Sequence, residues 1–120
     1  MQNAAMAYSQ TAKVTRDPRE LESSLLIRSA SQLQSIKDNW DESEHDASAA
    51  LMFNRKLWTI FVTSVTRDDN PMPLEIKNNI ANLAAFIFKQ TLSFQANPAP
   101  EKLTSLITIN REIAAGLSAT

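Results

Sequence analysis

The sequence contains no cysteine, one glycine and one histidine in 120 residues. Without cysteine there is no disulfide framework, no thiolate zinc site and no thiol nucleophile, a composition suited to a reducing compartment. A single glycine excludes a glycine-rich phosphate loop. It also argues against hairpins and sandwiches, which use glycine where φ is positive. Neither sign of charge dominates: 12 basic and 13 acidic residues leave a formal net charge of −1. The basic residues are scattered, so the charge balance favours neither nucleic acid nor an anionic membrane as a partner. Long apolar runs are missing as well. The most apolar stretch, Ala81 to Phe88, is interrupted by Asn82 and is far short of the ~20 residues that span a bilayer. The opening residues, Met1-Gln2-Asn3-Ala4-Ala5-Met6-Ala7-Tyr8, have neither the basic start nor the apolar centre of a signal peptide. The expectation is a cytoplasmic protein forming a single domain over 1–120, large enough to fold on its own core without a covalent staple.

What is present is helical patterning. Stretches free of glycine and proline alternate with short proline-containing breaks, which predicts an all-α fold: a compact bundle of about five helices with short connectors. An Ala-rich first helix is expected over 4–14, with Asn3 as its N-cap. Asp17-Pro18-Arg19-Glu20 opens the second, with a capping residue, a proline suited to the first turn and a capping-box glutamate. Its apolar stripe is Leu21, Leu25, Leu33, Ile36 and Trp40, and the polar run Asp41-Glu42-Ser43-Glu44-His45-Asp46 follows as a connector.

The third helix is expected over 46–67. Leu51, Trp58, Val62 and Val65 share one face, and Phe53, Leu57, Ile60 and Phe61 widen it to about half the circumference. A helix so broadly apolar belongs at the centre of a bundle. Asp68-Asp69-Asn70-Pro71-Met72-Pro73 stops it, and Pro73 opens a fourth helix over 74–94. Two stripes run along that helix, Ile76, Ile80, Leu83 and Ile87, and Ala81, Ala85, Phe88 and Leu92, again a central pattern. After Asn97-Pro98-Ala99-Pro100 the last helix turns Leu103, Leu106, Ile107, Ile113, Ala114 and Leu117 inward, with Gly116 as its expected C-cap. There is no internal repeat and no low-complexity tail.

Catalysis needs an activated nucleophile, a metal, or paired titrating groups, and the inventory for these is thin. His45 sits in an acidic connector. Glu42, Glu44, His45 and Asp46 have ligand chemistry, but neighbouring positions in one segment seldom converge on one ion, so a solvated acidic loop is the simpler reading. The serines have no histidine on a rigid element to activate them. No catalytic residue, metal ligand or cofactor site is expected, and the chain is read as a non-enzyme.

The polar residues set among apolar ones are more informative. Arg55 falls between Leu51, Trp58 and Val62 on the helical wheel, where a guanidinium needs a partner if buried. It is either a structural arginine reaching a carboxylate or helix-end carbonyls, or, with Trp58, an anchor for a partner. Asn79, Asn82 and Asn110 lie near apolar faces and invite the same pair of readings, internal satisfaction or the lining of a groove. Phe86 projects away from both stripes of its helix, and so is covered by the N-terminal helix or exposed for docking. A groove is expected near Trp58, Phe86 and Phe88.

Three blocks resemble a known family. Asn54-Arg55-Lys56-Leu57-Trp58-Thr59-Ile60-Phe61 is similar to the Arg-x-Leu-Trp segment of FlaF, the flagellar biosynthesis regulator of alphaproteobacteria. Asn70-Pro71-Met72-Pro73-Leu74-Glu75-Ile76-Lys77 resembles its Asn-x-x-Pro turn and following helix, and the segment from Leu106 to Leu117 resembles its closing helix. The blocks occur in order in a chain of the expected length, and the N-terminal Ala-Tyr segment is similar too. The resemblance implies a protein of flagellin production and secretion that binds flagellin and works with FlbT, a regulator of flagellin translation. It implies no cofactor. An amphipathic flagellin segment held in an apolar groove is the expected mode. The alternatives are a post-transcriptional regulator acting through FlbT, direct contact with the message, which the missing basic stripe disfavours, and a structural module with an unrelated partner.

Overall fold

The computed structural model describes residues 18–118. The described chain contains four long helices joined by short turns, and no strand. They are α1 (Pro18–Asp38), a short α2 (Trp40–Ser43), α3 (Ala47–Val65), α4 (Leu74–Ala96) and α5 (Thr104–Ser118), with 3-10 turns at Glu44–Asp46 and Pro100–Leu103. The all-α bundle is therefore as expected. The helix anticipated over 4–14 lies outside the described residues.

Helix α1 opens at Pro18 with Glu20 in its first turn and Lys37 in its last, each charge opposing the nearer end of the helix dipole. Its buried residues are Ser23, Leu26, Ser29, Ala30, Leu33 and Ile36. The expected stripe through Leu21 and Leu25 is displaced by about one residue, because the inward seam includes two serines and an alanine that apolar spacing undercounts. These small side chains let α5 approach closely and antiparallel. Ser23 Oγ donates to the Ala114 carbonyl at 2.9 Å and lies 2.7 Å from Ser118 Oγ. α1 packs along α5 and against α3, α3 is covered in turn by α4, and α4 meets α5.

The acidic connector is wound into helical turns rather than extended, with all of its carboxylates exposed. Helix α4 is a flanking helix, contrary to the central position expected of it. It buries Ile80, Ala84, Ile87, Thr91 and Phe94, whereas Leu92, Ile76 and Leu74 are exposed. Two apolar stripes on a helix do not oblige two neighbours to exist. The α3–α4 loop is held by Asn70: its Nδ2 donates to the Ser64 carbonyl and its Oδ1 accepts from the Met72 amide at 2.9 Å, leaving Pro73 to open α4.

Gly116 is not a C-cap. It sits inside α5, which continues to Ser118, and no described residue has positive φ. A Cβ built on it meets nothing within 4 Å. Gly116→Ala is therefore expected to stabilise the fold by about 0.5–1 kcal/mol, the usual gain from replacing glycine in a helix interior. A urea titration would show a higher midpoint at unchanged slope; a lower midpoint would mean the position is constrained by something other than helix geometry.

Candidate functional site

The residues singled out on the sequence fall into two separate places. Trp58 and Asn110 are fully buried, so neither offers an atom to a partner. Trp58 Nε1 donates to Asn110 Oδ1 at 2.8 Å. Asn110 Nδ2 donates to Asn54 Oδ1 at 2.8 Å, and Ser29 Oγ donates to the same oxygen at 2.8 Å. Helices α1, α3 and α5 are thus joined at one point by hydroxyl, amide and indole groups, a buried polar knot that fixes their register. The Asn54 Nδ2 donor finds no partner among the described residues. Sequence reading missed Asn54 and Ser29, since a lone Asn or Ser on an apolar face has no spacing signature.

Arg55 is corrected. It is exposed and makes no ion pair among the described residues. Helix α3 is apolar over more of its surface than its neighbours cover, and the covered arc is centred on Asn54, not Arg55. Ile60, expected inside, is 70% exposed for the same reason. Trp58, Phe86 and Phe88 do not form one groove either. Trp58 is in the core, Phe88 packs half-buried against it, and Phe86 is 43% exposed.

The groove lies elsewhere, between the first half of α4 and the last turns of α5. It encloses about 460 Å³. Met72, Ile76, Ile80 and Leu83 form one wall and Ile113, Gly116 and Leu117 the other, with Arg19, Asn79 and Glu112 also lining it. Gly116 matters here because a side chain at that position would narrow the opening. At 100° per residue Phe86 falls within about 20° of Asn79, two turns further along α4, and Asn82 is one turn before Phe86 on the same side. Asn79, Asn82 and Phe86 are all exposed. None of the three is a satisfied core residue: Asn79 lines the groove, and Asn82 and Phe86 lie outside its lining. From Ile76 to Leu83 the α4 wall is about 10 Å long, the span of an i, i+3 or i+4 and i+7 set on a docked helix.

Such a site binds apolar side chains. Among the described residues no group of three or more His, Asp or Glu could hold a metal, and no helix is long and apolar enough to cross a membrane. The chain matches the family model described as "Flagellar protein FlaF" over residues 4–117. No curated protein matches it, and no solved structure does.

Proposed function

Since the chain belongs to the FlaF family of flagellar proteins and so has a role in flagellum biogenesis or its regulation, we propose that it binds flagellin, receiving an amphipathic helix of that protein in the α4–α5 groove. The observation that carries this reading is the groove itself: an open apolar trough walled by Ile76, Ile80, Leu83 and Ile113, with a glycine where a side chain would obstruct it. An amphipathic helix lays apolar residues at i, i+3 or i+4 and i+7 into such a trough. Occupying those residues would mask apolar surface on flagellin before assembly, the work of a secretion chaperone. A partner that orders on binding loses conformational entropy, so moderate, reversible affinity is expected.

Calorimetric titration with flagellin, and with flagellin lacking either terminal segment, tests the proposal. The expected result is binding with negative ΔCp that disappears with one truncation. Gly116→Leu, which extends into the trough from a helical position where a Cβ meets nothing, should weaken binding at least about tenfold without loss of helicity. A folded sample that gives no heat with flagellin but binds FlbT would replace this reading with regulation through FlbT.

A further inference from the structure

The outer face of α3 is a second exposed apolar surface, and its charge is one-sided. Met52 and Ile60, 46% and 70% exposed, lie two helical turns apart, about 12 Å. Together with Arg55, Lys56 and Thr59 they line a shallow depression of about 320 Å³. It shares no residue with the α4–α5 groove. The threonine hydroxyls on this face are turned back to the helix: Thr59 Oγ1 donates to the Arg55 carbonyl at 2.8 Å and Thr63 Oγ1 to the Thr59 carbonyl at 2.7 Å. What these threonines offer outward is therefore mainly methyl. No Asp or Glu occurs anywhere in α3. Arg28 of α1 lies 5.6 Å from the centroid of the Phe53 ring, beside α3 but outside this depression.

We propose that this face is a docking surface for an acidic amphipathic helix of a partner protein, with apolar residues seated on Met52 and Ile60 and carboxylates meeting Arg55 and Lys56. A second copy of this chain is the weaker occupant on charge grounds. Antiparallel pairing of two α3 helices that sets Met52 against Ile60 centres on Lys56. It would bring both Lys56 ammonium groups and both Arg55 guanidinium groups together with no α3 carboxylate to offset them, and like charges held together oppose association. A partner bearing carboxylates removes that repulsion and also sets the register. The surface is independent of what fills the α4–α5 groove.

The test uses the full chain and two labelled helical peptides with identical leucines two turns apart, one carrying glutamates between them and the other lysines. In fluorescence anisotropy the acidic peptide should bind and the basic one should not. Met52→Ser/Ile60→Ser should weaken the acidic peptide at least about tenfold. Arg55→Glu/Lys56→Glu should exchange the preference, so that the basic peptide now binds. All four positions are exposed, and circular dichroism of each variant checks that the fold is unchanged. Equal binding of both peptides, or binding indifferent to both double substitutions, overturns the proposal. So does a dimer in sedimentation velocity that Ile60→Ser dissociates, which would make the face a self-interface. Binding to anionic vesicles that Ile60→Ser abolishes, with no preference between the peptides, would assign it to a membrane surface instead.

Discussion

Trp58→Ala is expected to remove about 3–5 kcal/mol of stability, the range for truncating a large aromatic in a packed core. The indole is fully buried and stands edge-on to Phe61, with ring centroids 5.4 Å apart and planes at 83°. Its loss opens a cavity between α3 and α5 and also strips Asn110 Oδ1 of the indole donor it accepts from. Against a total of about 5–15 kcal/mol for a natural domain, the variant would lie near the edge of folding. Thermal unfolding followed by circular dichroism should show a midpoint roughly 10–20 °C lower. Trp58→Phe separates the two contributions. It keeps much of the apolar volume but loses the N–H and part of the bicyclic ring, so a cost of about 1–3 kcal/mol from the orphaned carbonyl oxygen is expected, with a smaller cavity than alanine leaves. If Trp58→Ala cost less than Trp58→Phe is expected to, the indole would have to be more peripheral than its burial indicates.

Asn110→Asp has the second large effect, and its signature is pH dependence. The substitution is nearly isosteric at a fully buried position. One carboxyl oxygen can still accept from Trp58 Nε1, but the other replaces the Nδ2 that donates to Asn54 Oδ1. When ionised, it sets a negative oxygen against a carbonyl oxygen in a buried site. When protonated, the carboxyl O–H donates to Asn54 Oδ1 and restores the network. Burial and the facing carbonyl therefore raise the introduced carboxyl well above its ordinary pKa of about 3.9. The folded state then holds a proton that the unfolded state releases, so stability falls as pH rises above about 4 and levels off once the raised folded-state pKa is passed. Urea titrations of the variant and the parent at pH 3.5 and pH 7 should give a small difference at the first and a large one at the second. Equal differences at both pH values would mean that water reaches the site.

The network and the groove make different demands on the chain. Ser29, Asn54, Asn110 and Trp58 specify how α1, α3 and α5 sit against one another, because only one register pairs these atoms. The groove needs the opposite: uncovered apolar surface on α4 and an absent side chain at Gly116. Its exposed residues include Ile76, and the flanking role of α4 leaves that side chain unburied. The same incomplete coverage exposes Ile60 on α3. This molecule leaves apolar side chains exposed on two helices, Leu74, Ile76, Phe86 and Leu92 on α4 and Met52 and Ile60 on α3.

Helix extents were legible because they depend on local chemistry. Prolines end helices through steric exclusion of the preceding residue from the α region. The two breaks at Pro71-Met72-Pro73 and Pro98-Ala99-Pro100 therefore bound α4 at 74–96, within two residues of the expected 74–94. The scarcity of glycine likewise determined the all-α class, and three ordered blocks carried the family. Tertiary structure alone decided which arc of each amphipathic helix is covered. Periodicity marks every apolar face but does not count neighbours, so α4 read as central when it flanks, and the two readings of Arg55 stayed open while the buried polar residue of that face is Asn54. The small residues of α1 carried no apolar signal, yet Ser23 and Ala30 are buried, and Ser23 bonds across to the Ala114 carbonyl of α5. Gly116 shows the same division: its identity follows from the chain, but that it leaves space in a groove, rather than capping a helix, depends on where α4 lies beside it.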